Sequence, residues 1–121
     1  MPIDHLPPVP SVARYVDALR QLEASIHPNH KKLLQAHYAA PDQTMTAREL
    51  AAAVGYAEPR AVNLQYGQLG ERLRELMAYR GDGQASYVFA AFVPPRVAGN
   101  EEWLWVMHEN VARALEQLGW V

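Results

Sequence analysis

MTARELAAAVGYAEPRAVNLQY, residues 45–66, carries the signals of two helices joined by a tight turn. Thr46 can cap the first helix, and Glu49 three residues on completes a T-x-x-E capping box. Met45 before the cap and Leu50 four residues after it are spaced to form a hydrophobic staple. Gly55 can take the left-handed conformation that ends a helix. Pro59 suits the first position of the next one, where a missing N–H costs nothing. Small Ala51, turn-forming Gly55 and inward Val62 fit a helix-turn-helix, a unit used both to enter the DNA major groove and as a plain packing motif.

Upstream, residues 1–10 hold Pro2, Pro7, Pro8 and Pro10 and read as an extended arm. Ser11 opens a helix whose apolar stripe runs through Val12, Tyr15, Val16, Leu19, Leu22 and Ile26. Pro28 is expected to end it and Asn29 to cap a second helix reaching about Ala39. The segment 39–43, AAPDQ, reads as a loop. Downstream, the helix opened by Pro59 is long, with Val62, Tyr66, Leu69, Leu73, Leu76 and Met77 on one stripe. Gly67 and Gly70 inside it each cost about 1 kcal/mol against Ala, which suggests close approach by another backbone or a kink.

After a turn at 81–84, GDGQ, the apolar period changes to two. Residues 87–93, YVFAAFV, read as a strand ended by Pro94 and Pro95, and 103–107, WLWVM, as its antiparallel partner across a loop with Gly99 and Asn100. A last helix carries Val111, Ala112, Leu115 and Leu118, ends at Gly119 and lets Trp120 fold back. The fold class expected is mainly α with a small β-hairpin (α+β). More finely, residues 11–121 form one winged helix-turn-helix-like domain, with extra helices at both ends, behind the Pro-rich arm 1–10.

Composition narrows the function. The chain has 121 residues and a formal net charge of −2, unlike the basic balance of a sequence-independent DNA binder. It has no cysteine, hence no disulfide framework, zinc finger or thiol nucleophile. No apolar run approaches the ~18 residues of a membrane span, and MPIDHLPPVP lacks the parts of a signal peptide, so a cytoplasmic location and no membrane association are expected. No nucleophile elbow, P-loop, dinucleotide fingerprint or two-metal carboxylate cluster is present, and the chain is read as non-catalytic, with no cofactor. His108-Glu109 after the second strand reads as a helix cap before an acid–base pair. His27, His30 and His37 lack the spacing and companions of a metal site, and no metal is expected.

The helix face opposite the core stripe holds Arg60, Asn63, Gly67, Glu71 and Arg74, with Gln68 alongside. Arg and Asn can read guanine and adenine edges, and Gly67 would admit a phosphate backbone. Lys31 and Lys32 near a helix N-terminus could hold phosphates. Against this, residues 46–79 carry four Arg and four Glu, so the unit is neutral and the same face can be ordinary solvated surface. Tyr87, Phe89, Phe92, Trp103, Trp105 and Trp120 read first as core; two Trp on one strand face is a surplus, and an exposed one would mark a contact surface or a pocket for a flipped or modified base.

The run 36–56, AHYAAPDQTMTARELAAAVGY, followed by AVNLQYGQLG at 61–70 and WLWVMHENVARALEQLGWV at 103–121, resembles an N-terminal module of bacterial proteins that carry an HNH endonuclease domain. The resemblance covers about residues 30–121. It implies a DNA-associated specificity or accessory module of restriction or defence type. The sequence holds no HNH motif, so cleavage does not carry over and a stand-alone recognition or accessory half is expected. Two functions compete. One is non-catalytic binding of duplex DNA, modified or not, through Arg60, Asn63, Gly67, Gln68, Arg74, Lys31 and Lys32, beside a partner nuclease or other protein. The alternative is a protein-interaction adaptor or homodimerisation module with no DNA contact.

Overall fold

The computed structural model describes residues 9–79, 84–94 and 102–121. The expected arm up to residue 8, the turn at 81–83 and the loop around Gly99 and Asn100 lie outside the described residues. The order along the chain is α1 (Val12–Leu22), α2 (Pro28–Ala39), a 3₁₀ turn (Pro41–Gln43), β1 (Thr44–Thr46), α3 (Ala47–Val54), α4 (Pro59–Met77), a second 3₁₀ turn (Ala85–Val88), β2 (Ala90–Val93), β3 (Leu104–Met107) and α5 (Glu109–Leu118). The fold is mainly α with one small antiparallel sheet.

Local chemistry explains most boundaries. Ser11 caps α1 by accepting the Arg14 N–H. Pro28 does not close α1, which stops at Leu22; it is the first residue of α2, and the N-cap is His27, not Asn29. The His27 Nδ1 accepts the Asn29 N–H at 3.0 Å, the role a Ser or Asp oxygen usually plays. The capping box of α3 is complete: the Glu49 N–H donates to Thr46 Oγ1 at 3.1 Å and the Thr46 N–H to Glu49 Oε1 at 2.9 Å. Gly55 sits at φ 84°, in the left-handed region. Pro59 opens α4, which buries Val62, Tyr66, Leu69, Leu73 and Met77. Leu76 is 41 % exposed instead, because Met77 takes the core-facing place in the last turn.

Two expectations about the strands change. Residues 85–88 are a 3₁₀ turn, so only the second half of 87–93 is a strand. The reason lies in packing: a Cβ on Gly70 would stand 2.4 Å from the Ala85 carbonyl oxygen, so the bare glycine lets this segment cross α4 in backbone contact. The Tyr15 hydroxyl fixes it further by donating to the Val88 carbonyl at 2.5 Å. The hairpin also gains a third strand. Thr44–Thr46, expected only as the approach to the α3 cap at Thr46, pairs antiparallel with β3, which becomes central in the order β1-β3-β2. Met45 and Phe92 both stand opposite Trp105, placing the three side chains on one face.

That face rests on a core centred on Tyr66, which is fully buried and stacks on Phe89 at 5.2 Å and Trp105 at 5.8 Å. The His37 Nε2–H donates to the Trp105 carbonyl at 2.8 Å. Its Nδ1 therefore accepts from the Tyr66 hydroxyl at 3.0 Å. Burial keeps His37 neutral, below the usual histidine range, and pushes the Tyr66 hydroxyl far above the usual phenol range. One hydrogen-bonded string thus ties α2, α4 and β3. At the other end α1 packs on α5 and α4. Gly119 turns left-handed, and Trp120 folds back so that its indole N–H donates to Glu23 at 2.9 Å.

Candidate binding cleft

An open cleft of about 510 Å³ lies between the starts of α3 and α4 and the aromatic face of the sheet. This is within the usual size of a small-molecule site. Phe92 and Trp105 make its floor, stacked at 4.4 Å with 23° between their planes, and Tyr87 meets Phe92 edge-on at 4.9 Å. Tyr87 and Trp103 line it while remaining 41 % and 50 % exposed. Among the described residues Trp103 makes no ring contact with another aromatic, and half of its surface is open to solvent. The six aromatics singled out in the sequence therefore divide: Phe89, Trp105 and Trp120 are buried, Phe92 half-buried, and Tyr87 and Trp103 open to solvent.

The polar rim comes from three elements. Asn63 of α4 and Gln84 before the second 3₁₀ turn are exposed, and neither side chain hydrogen-bonds a described residue. Arg48 of α3 donates to Glu102 at 2.6 Å, so the carboxylate and guanidinium on the rim are matched. Trp103 and Tyr87 were legible from the sequence; Arg48, Gln84 and Glu102 were not, since each is polar, isolated and far from the others in the chain.

The residues expected to contact DNA do not form one patch. Arg60, Asn63 and Gln68 are exposed on α4, and Gly67, with open space where a Cβ would stand, lies between them. Asn63 alone also lines the cleft. Arg74, with a side chain 22 % exposed, pairs with Glu71 at 3.0 Å one turn back. The two lysines are on α2, whose His30 meets Gln65 of α4 at 2.6 Å. Gln65 is two residues past Asn63 and so about 200° around the helix, which puts Lys31 and Lys32 on the flank away from the cleft. Lys31 holds its ammonium 4.7 Å over the Trp120 ring, and Lys32 is exposed. Gly70, not Gly67, is the glycine that admits a neighbouring backbone.

The three histidines weighed for metal sit in separate local roles: His27 at the α2 cap, His30 against Gln65 and His37 in the core. No group of three His, Asp or Glu side chains able to hold a metal is found among the described residues. His108 caps α5 with its backbone and meets the Tyr87 carbonyl through Nε2 at 2.8 Å; Glu109 pairs with Arg113. Among the described residues no helix is long and apolar enough to cross a membrane. Comparisons with family models, with curated proteins and with solved structures find no match to this chain.

Proposed function

We propose that this is a non-catalytic, winged-helix-like module that binds duplex DNA. In this reading α4 is the groove-facing helix and the β2–β3 hairpin is the wing. The element order from α2 to β3, with β3 central in the sheet, supports the winged-helix assignment. The observation that carries the DNA reading is the position of Asn63. It belongs both to the outward side of α4, one turn from exposed Arg60, and to the rim of an aromatic cleft. Arg and Asn are the side chains suited to bidentate contact with guanine and adenine, and rings open to solvent are suited to bases. The resemblance to modules accompanying HNH nucleases agrees with an accessory or specificity role in a restriction-type system, in the cytoplasm beside a nuclease partner.

Fluorescence anisotropy with labelled duplex, unmodified and cytosine-methylated, tests this at low and moderate salt. Affinity that falls with salt is expected, with Arg60→Ala costing about 1–3 kcal/mol if Arg60 reads a base. No binding at roughly tens of micromolar protein in low salt would overturn it, because even non-specific binders show a Kd of roughly 10⁻⁴–10⁻⁶ M at physiological salt and bind tighter below it.

One observation favours the adaptor reading instead. Leu64, in the middle of the outward side of α4, is 58 % exposed, and Gly67 one turn on leaves a shallow notch. An apolar side chain over a notch suits helix-to-helix docking between two copies or with another protein. Sedimentation velocity across a concentration series decides: a dimer lost in Leu64→Glu, with no DNA shift, would replace the first proposal.

A further inference from the structure

We infer that the cleft beside α4 takes one planar, uncharged ring, and that in the DNA complex this ring is a nucleobase turned out of the duplex. The inference rests on the DNA reading above and adds what the cleft itself does.

The walls give the ring class. Trp103 is half exposed on the wall with no aromatic partner among the described residues, Tyr87 lines the same cleft, and the floor of Phe92 stacked on Trp105 is anchored to buried Tyr66. A floor held by the core keeps its geometry when the cleft is empty, so stacking needs no rearrangement there. The rim gives the polarity. Asn63 and Gln84 each supply an amide with donors on one atom and an acceptor on the other, and neither is committed to a described residue. Such pairs match the Watson–Crick edge of a base freed from its partner. Among the described residues that line the cleft, the only charged side chains, Arg48 and Glu102, are paired with each other, so none of these demands a charged ligand. An apolar aromatic side chain from a protein would leave both amides without a match. The mouth opens beside the side of α4 that the DNA reading sets against the groove, with Arg60 one turn from Asn63.

The same chemistry could come from an unpaired strand, so the test carries three labelled DNAs of one sequence: full duplex, duplex with a single mismatched pair, and single strand. Wild type, Trp103→Ala and Trp103→Phe are compared by anisotropy, after circular dichroism shows each folded. A mismatched base is easier to extrude, so wild type binds the mismatched duplex about tenfold tighter than the paired one. Trp103→Ala loses at least about fivefold on the mismatched duplex, the size of one base–aromatic stack, and Trp103→Phe restores most of it. Equal affinity for mismatched and paired duplexes, unchanged in Trp103→Ala, overturns the pocket and leaves the DNA reading standing. Single strand bound as tightly as the mismatched duplex overturns extrusion and makes the occupant a base of an unpaired strand. Binding to none of the three overturns the pocket and the DNA reading together.

Discussion

Two sets of aromatic side chains flank the stacked pair Phe92 and Trp105 and have opposite fates. On one side Tyr66 and Phe89 are sealed, with every polar atom of the Tyr66–His37 pair answered. On the other, Tyr87 and Trp103 keep 41 % and 50 % of their surface open on the cleft. All four are large aromatics; the difference is what packs across from them. α4 carries Tyr66 and packs along the 3₁₀ turn that leads into Phe89, while only its first residues, Pro59 and Asn63, reach the second set. Ring stacking alone therefore does not distinguish core from contact surface, whereas coverage by a helix does.

The comparison breaks most visibly at Tyr66. Tyr66→Ala removes the ring around which α2, α4 and β3 assemble, and a large-to-small change of this kind costs about 3–5 kcal/mol. That is a large part of a typical domain's stability, so a urea melt should show a mostly unfolded or strongly shifted variant. A shift as small as that of a surface change would remove Tyr66 from the centre of the core. Next is Gly70→Ala, which drives a methyl into the Ala85 carbonyl and should cost about 1–3 kcal/mol by the same melt.

A pH effect follows from the histidines. Burial lowers His37, His30 and His108 below the usual value. The unfolded chain takes up protons as pH falls through about 6.5 while the folded chain resists, so unfolding binds protons and stability drops on acidification. It is fully present above about pH 6.5 and declines below it until the folded groups titrate, with His37 contributing at most about 1.4 kcal/mol per pH unit. A flat profile between pH 7 and 5, or one unchanged in His37→Gln, would contradict the buried neutral role.

Smaller effects sharpen the contrast. Gly67→Ala meets open space and should raise stability by about 0.5–1 kcal/mol, opposite in sign to Gly70→Ala three residues away. Trp103→Ala should lower the unfolding free energy from the urea melt by only about 1 kcal/mol, because the ring is half outside the protein. A loss comparable to that of Tyr66→Ala would place Trp103 in the core.

What could be read ahead of the structure was whatever depends on neighbours in sequence. Thr46 with Glu49, Gly55, Pro59 and Gly119 act within one turn of themselves, and each boundary they predict is present. Pro28 was misread because proline ends one helix and begins another with equal ease, and His27 is an unusual cap. β1 was missed because its last residue, Thr46, is also the cap of α3, and the helix signal covered a strand of three residues. The turn at 85–88 was hidden for a different cause: its apolar alternation suits a strand, and only the long-range fit to Gly70 selects another shape. The cleft was half legible. Its aromatic walls stood out by composition, but Arg48, Gln84 and Glu102 come together only through the pairing of β3 with strands from both sides.

The packing of α1 on α5 has a consequence for biosynthesis. The apolar stripe of α1 finds a main partner only when residues 109–118 have been made, 96 residues after Leu22 closes the first helix. At ~5–20 residues per second, the ribosome leaves that stripe without its final cover for about 5 to 19 seconds. Tyr15, Leu19 and Leu22 then stand as a greasy flank on the nascent chain, open to chaperones and to neighbouring chains on the same message. Closure by α5, fastened by Trp120 on Glu23, makes the emergence of residues 109–120 the trigger for the final fold of this domain.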